Sequence, residues 1–192
     1  MLYLTSYSLE NGVKMKVQNG QKVHVHYKGT LKDGTVFDES RARGKTLSFT
    51  VGSGRMLKGF NDTVLGMGEG EVRSVTIEPE DAYGFHDSGA LQAVDKGHFG
   101  EGFEFKIGEI VQGNGPRGPF VARIHTVEGD NVVLDFNHPL AGEQLQFEIE
   151  LVSFDSWNLK MKKAELLEAA ELQGIEISSR ATKAQILEAL SA

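Results

Sequence analysis

Val23, Val25 and Tyr27 alternate with His24, His26 and Lys28, and Lys32-Asp33-Gly34-Thr35 then turns the chain back toward Phe37 and Asp38. A period of two is that of a strand with one dry face, and Asp-Gly between strands is a hairpin turn. Tyr27 therefore faces the core, and the hairpin puts Phe37 and Asp38 beside the first strand, so that an aromatic ring and a carboxylate end up close together. Further along, Glu80-Asp81-Ala82-Tyr83-Gly84 offers a second tyrosine between small residues, in a loop that presents a side chain rather than burying it. Together these segments can wall an apolar pocket carrying two polar groups.

The remaining local signals predict an α+β fold, an antiparallel sheet wrapped around one short helix. Thr46–Val51 continues the sheet with Leu47, Phe49 and Val51 on one face, and Gly52-Ser53-Gly54 breaks it. Leu57–Leu65 reads as a helix with Leu57, Phe60, Val64 and Leu65 at helical spacing, closed by Gly66. Glu71–Ile77 reads as an edge strand ended by Glu78-Pro79. At the start, Met1–Gly20 reads as two extended segments joined at Glu10-Asn11-Gly12, adding a strand.

Between Phe85 and Phe136 the composition shifts toward glycine and acidic residues, and Asn114-Gly115-Pro116-Arg117-Gly118-Pro119 is a dense turn signal. Phe120–Val127 and Asn131–Phe136 are expected to pair as a hairpin, with Phe99, Phe103, Phe105, Ile107, Ile110 and Val111 supplying apolar surface. A module this small buries little apolar area, so these residues are either simply its core or a partly exposed surface able to hold unfolded chains. Beyond it, Lys162–Glu171 is a helix ended by Gly174, and Thr182 caps a second helix over Lys183–Leu190 with Ile186, Leu187 and Leu190 as its stripe.

Composition excludes several classes. The chain has 192 residues, 40% hydrophobic and 24% charged, as an ordinary folded protein has, and no cysteine, which removes disulfides and thiolate chemistry. No apolar run approaches a membrane span, and Met1–Gly20 is unlike a secretory signal, so a cytoplasmic location and no membrane contact are expected. The formal charge of −7 argues against a protein devoted to nucleic acid. The histidines His24, His26, His86, His98, His125 and His138 are scattered, and only His24 and His26 share a face, so no metal site is expected. Serine elbow, phosphate loop and dinucleotide fingerprint are all missing, and no cofactor is expected.

Tyr27, Gly29, Leu31, Asp33, Gly34, Phe37, Asp38 and Ser40, then Val51-Gly52, Leu57-Lys58-Gly59-Phe60, Gly66-Met67, Gly70 and Ala82-Tyr83-Gly84, resemble the FKBP-type peptidyl-prolyl isomerases. Asn137-His138-Pro139-Leu140-Ala141-Gly142 and the Leu145–Leu151 strand are similar to the SlyD branch, in which an insert domain replaces the flap. The resemblance covers Gly20–Phe154 and implies an FKBP-like domain of residues 1–85 and 137–155, an insert-in-flap domain of residues 86–136 that holds clients, and a monomeric foldase. It implies a pocket lined by Tyr27, Phe37, Met56, Leu57, Phe60, Ala82 and Phe147, with Tyr83 donating its hydroxyl to a substrate carbonyl and Asp38 near the twisting amide. Tyr27, Asp38 and Tyr83 are the expected catalytic residues. Read locally, Tyr27 could instead be packing, and Asp38 could bond backbone amides or pair with Arg43. Met56 and Phe60 stand where the family has a smaller aliphatic and a tryptophan, a departure that bears on macrolide inhibitors more than on isomerisation. The substrates implied are unfolded or proline-containing polypeptides.

Residues 156–192 are loosely similar to the SAP, LEM and HeH helix-loop-helix microdomains. Lys160, Lys162, Lys163, Arg180 and Lys183 gather at the first helix start and in the loop, which points to DNA, a protein partner, or plain structural capping. The second reading of the whole chain is a non-catalytic proline-motif binding module tethered through these helices.

Overall fold

The computed structural model describes residues 15–100, 102–115 and 118–191. The expected hairpin around Glu10-Asn11-Gly12 lies outside the described residues. In chain order the elements are β1 (Lys22–Leu31), β2 (Val36–Glu39), β3 (Leu47–Thr50), α1 (Lys58–Val64), β4 (Val72–Ile77), β5 (Leu91–Asp95), β6 (Ile110–Gly115), β7 (Gly118–Glu128), β8 (Asn131–Asp135), β9 (Leu145–Phe154), α2 (Lys163–Leu172) and α3 (Lys183–Leu190). Chain contacts divide them into two compact units, Met1–Ala82 with Gln144–Ala192, and Tyr83–Glu143.

The first unit is an antiparallel sheet in the order β2-β1-β9-β4, with β3 sharing the β1 edge. Its inner face follows from the alternation: Val23, Val25 and Tyr27 on β1 meet Leu145, Phe147, Ile149 and Leu151 on β9, all buried. Across β9, Phe147 sits opposite Val75 and Leu145 opposite Ile77. Helix α1 lies on this face and buries Phe60 and Val64. Gly59 allows the approach, since a Cβ there would stand 3.0 Å from Ile77 Cγ1. Gly66, at φ +73, ends the helix as its sequence suggested. The carbonyls left open at that end are taken up from β4: Arg73 Nη1 donates to Thr63 O at 3.0 Å and Leu65 O at 3.1 Å, and Nη2 to Gly66 O at 3.1 Å. A guanidinium there also suits the negative pole of the helix.

The C-terminal helices belong to the same unit. Leu166, Ala169 and Ala170 of α2 pack against Ile186 and Leu190 of α3, with Trp157, Met161 and Ile175 at the margin. The pair is seated on the turn before β1, where Gln173 Nε2 donates to Asn19 O at 3.0 Å. At Gly20 the seat is so close that a Cβ would lie 2.5 Å from Ala169 Cα. A backbone at φ +83 suits glycine for a second reason.

The second unit is a four-stranded sheet in the order β5-β8-β7-β6. The expected hairpin is β7 and β8, turning at Gly129-Asp130. Within the dense turn signal, Asn114 of β6 pairs with Pro119 of β7 and Gly115 with Gly118. The buried core is Val111, Ala122, Ile124, Val132 and Leu134, with Phe99 and Phe105 packed at its edge. Of the other apolar residues expected there, Phe103, Ile107 and Ile110 are exposed.

Candidate active site

Tyr27, Phe37, Phe60 and Phe147 converge, although they come from β1, β2, α1 and β9. Phe147 is the hub, with ring centroids 5.2 Å from Phe60, 5.6 Å from Phe37 and 6.2 Å from Tyr27. Tyr27 meets Phe60 edge-on at 5.8 Å. Edge-to-face contacts place the positive rim of one ring on the negative face of the next, so the cluster is held by geometry as well as by burial. Two backbone features allow it. First, β1 pairs Gly29 with Asp38 and Thr30 with Val36, leaving Phe37 as the extra residue of a bulge. A bulge re-aims a side chain, and here the Phe37 ring lies over Gly29. Second, Gly29 leaves room for it, because a Cβ there would be 2.6 Å from Phe37 Cζ and 3.0 Å from Phe147 Cε1.

At the edge of the rings lies a polar triangle. The Tyr27 hydroxyl donates to Asp38 Oδ2, and Arg43 donates through Nη1 to Asp38 Oδ1 and through Nη2 to the Tyr27 hydroxyl. The guanidinium carbon also sits 5.6 Å from the Tyr27 ring centroid. Burial raises the Tyr27 phenol, and the Asp38 carboxylate adds to the rise by holding its proton. Burial also pushes the Asp38 carboxyl up, but the hydrogen bonds from Tyr27 and Arg43 outweigh it and keep the group below the usual carboxylate range. Asp38 is thus an oriented anion at neutral pH. Ser40 fixes the strand pairing beneath it: its buried hydroxyl accepts from Tyr27 N at 2.9 Å, and its own N–H donates to Tyr27 O at 3.0 Å.

The other expected residues are placed as follows. Met56 and Leu57 are half-buried where the chain enters α1, Leu57 being its N-terminal cap residue. Ala82 is half-buried after a single helical turn at Pro79–Asp81. Tyr83 begins the second unit, is 42% exposed, and stacks on His138.

A family model for FKBP-type peptidyl-prolyl cis-trans isomerases matches residues 13–152. The chain belongs to that family. It is 32% identical over 142 residues to the FKBP-type 16 kDa peptidyl-prolyl cis-trans isomerase of Escherichia coli K12, covering 72% of this chain and 94% of that protein. It is 34% identical over 139 residues to the SlyD isomerase of Vibrio cholerae, covering 72% and 69%. It is 34% identical over 134 residues to the short-type isomerase of Methanocaldococcus jannaschii, covering 69% and 82%.

Three neighbours of the expected residues were not legible beforehand. Phe49 extends the ring cluster, 5.8 Å from Phe60, because β3 pairs it opposite Val23. Arg43 reads in sequence as a partner for Asp38 alone, whereas it also reaches the Tyr27 hydroxyl. His138 lies under Tyr83, and only its place in Asn137–Gly142 gave a hint. Among the described residues no group of three His, Asp or Glu side chains could hold a metal, and no helix is long and apolar enough to cross a membrane.

Proposed function

We propose that this isomerase turns X-Pro bonds of unfolded or partly folded polypeptides in the ring cluster of its first unit, while the second unit holds the client. Rotation about an X-Pro bond meets a barrier of roughly 18–20 kcal/mol, because amide resonance is lost on the way. No nucleophile is needed. A twisted amide has shed conjugation and much of its dipole, so a dry aromatic wall favours it over the planar ground state. Phe37, Phe60 and Phe147, with Tyr27 behind them and Met56, Leu57 and Ala82 at the margin, supply that wall. The Tyr27 proton is committed to Asp38, so Tyr27 serves as wall and as holder of the carboxylate, which is placed near the twisting amide. Tyr83 donates to a carbonyl of the substrate; among the described residues its hydroxyl has no hydrogen-bond partner. The convergence of Phe37, Phe60 and Phe147 is the single observation that supports this reading most strongly.

For client holding, the support is the apolar surface the second unit leaves in solvent. Ile107, Ile110 and Val121 are 70%, 59% and 59% exposed. Val121 also lines a shallow groove with Gln112, Gly113, Asn114, Pro119 and Phe120. Replacing residues 86–136 by a short loop is expected to abolish acceleration of proline-limited protein refolding while short-peptide isomerisation survives. No acceleration by the intact chain in either assay would reject the enzymatic reading in favour of a proline-motif receptor.

A role for the C-terminal helices in phosphate-backbone or protein docking rests on one observation. Lys183 Nζ donates to Leu159 O at 3.2 Å, which brings the start of α3 to the segment carrying Lys160, Lys162 and Lys163. Among the described residues none of these four lysines forms an ion pair, so their charge is open to a partner. Salt-sensitive binding of duplex DNA by the full chain, lost on replacing Lys160, Lys162 and Lys163 by Gln, is the expected result; unchanged binding, or none at low salt, removes the nucleic-acid partner.

A further inference from the structure

The Tyr83 ring is 42% exposed, and its hydroxyl has no hydrogen-bond partner among the described residues. A phenol in that situation would swing freely about its side-chain bonds, and a donor that swings must be ordered anew each time a ligand arrives. What limits it is His138. The two rings lie face to face with centroids 3.7 Å apart and planes within 6° of parallel.

His138 is itself held. Its Nδ1 accepts from Leu140 N at 3.1 Å, and its carbonyl accepts from Ala141 N at 2.8 Å. Pro139 after it restricts the His138 backbone to extended conformations. On either side of the stack the two chain segments are bound to each other. Gly142 N donates to Gly84 O at 2.8 Å, next to Tyr83. Asn137, next to His138, accepts from Asp87 N at 2.9 Å and donates from Nδ2 to Asp87 O at 3.0 Å. Asn137 is fixed in turn by Asp135 Oδ1, which accepts from its N–H at 2.8 Å and from Nδ2 at 2.7 Å. The imidazole is therefore a braced plate against which the phenol rests, and both residues belong to the second unit.

We propose that His138 is the positioning residue for Tyr83, ordering the phenol so that its hydroxyl is presented to the substrate carbonyl in one orientation. This rests on the reading of Tyr83 as the donor. The contribution is that of a flat ring, so His138→Phe retains it and His138→Ala removes it. The sequence allows no such assignment, since fifty-odd residues separate the two rings and a lone histidine before a proline has many other uses.

A double-mutant cycle on the full chain, read as kcat/KM for a short X-Pro peptide, tests the proposal. His138→Ala is expected to lower kcat/KM roughly three- to tenfold, His138→Phe to restore most of it, and His138→Ala to do nothing further in a Tyr83→Ala background. In the spectrum of the protein carrying labelled tyrosine, the Tyr83 ring protons are expected upfield in the parent and in His138→Phe, and at ordinary positions in His138→Ala. Loss of activity in Tyr83→Ala alongside parental activity in His138→Ala overturns this inference alone. An equal loss from His138→Ala with and without Tyr83 does the same, because the effect then does not pass through the phenol. Parental activity in Tyr83→Ala overturns the donor reading and this inference with it.

Discussion

Asp38 illustrates how a single residue takes its role from neighbours the chain brings to it. Its depressed carboxyl pKa means that the unfolded chain binds the proton more readily, so folding gains stability as pH rises through the window below the ordinary value of 3.8 and loses it as pH falls. Between about pH 2 and pH 4, therefore, the urea midpoint of the parent should climb more steeply than that of Asp38→Asn. Equal slopes would mean the Tyr27 and Arg43 bonds are not made in solution. Gly29 makes the complementary point about space. Gly29→Ala would drive a methyl into the Phe37 ring, at a cost of about 1–3 kcal/mol and with a fall in peptide isomerisation, because the bulged ring must leave the cluster. A Gly29→Ala protein with parental kcat/KM would show that Phe37 does not wall the substrate site. Tyr27 and Asp38 were legible from alternation and the Asp-Gly turn; the re-aimed Phe37 was not, since a bulge is an agreement between two strands.

At the scale of elements, those whose ends are written locally stood out in the sequence. The short helix α1 has its apolar spacing and its closing glycine within one stretch, and α3 has Thr182 accepting from Gln185 N at 3.3 Å, the cap its residue type suggests. The features that depend on distant partners did not. Arg73 closes the C-terminal end of α1 from another element, and nothing in its own neighbourhood announces that. Likewise, the seat of the α2 and α3 pair depends on Gly20, far away in the chain. Gly20→Ala meets backbone atoms of Ala169 as well as an unfavourable φ, so it should weaken the docking by about 1–3 kcal/mol. Trp157 is the chain's single tryptophan and packs beside this helix core, so its fluorescence reports the event directly. A lowered denaturation midpoint by Trp157 emission is expected in Gly20→Ala, and an unchanged one would show that Gly20 does not set the seat of the helix pair.

For the molecule as a whole, the two units have cores of very different depth. The second rests on Val111, Ala122, Ile124, Val132 and Leu134, whereas the first packs a full sheet face against a helix. Ile124 is fully buried, so Ile124→Ala should cost about 2–5 kcal/mol, a large share of what so small a core can supply. Amides of β7 and β8 should then exchange with solvent much faster while those of β1 and β9 keep their protection. Uniform loss of protection would show that the two units unfold together. A shallow core and exposed Ile107 and Ile110 are two aspects of one fact: a small sheet cannot cover all its apolar residues. The sequence could supply those residues but not sort them, because periodicity says which side chains share a face and not whether another layer covers it.

Alternation, turn chemistry and helix spacing act over a few residues, and they were enough to establish an α+β chain, its first hairpin, its short helix and the aromatic and carboxylate character of one wall. The edge-on geometry by which Phe147 meets Phe37 and Phe60, the addition of Phe49 to that cluster, the reach of Arg43 to two partners, the docking at Gly20 and the stack of Tyr83 on His138 emerged only from the packed molecule. Each is a contact between segments whose order in the chain carries no distance information, and steric fit among many side chains at once selects it.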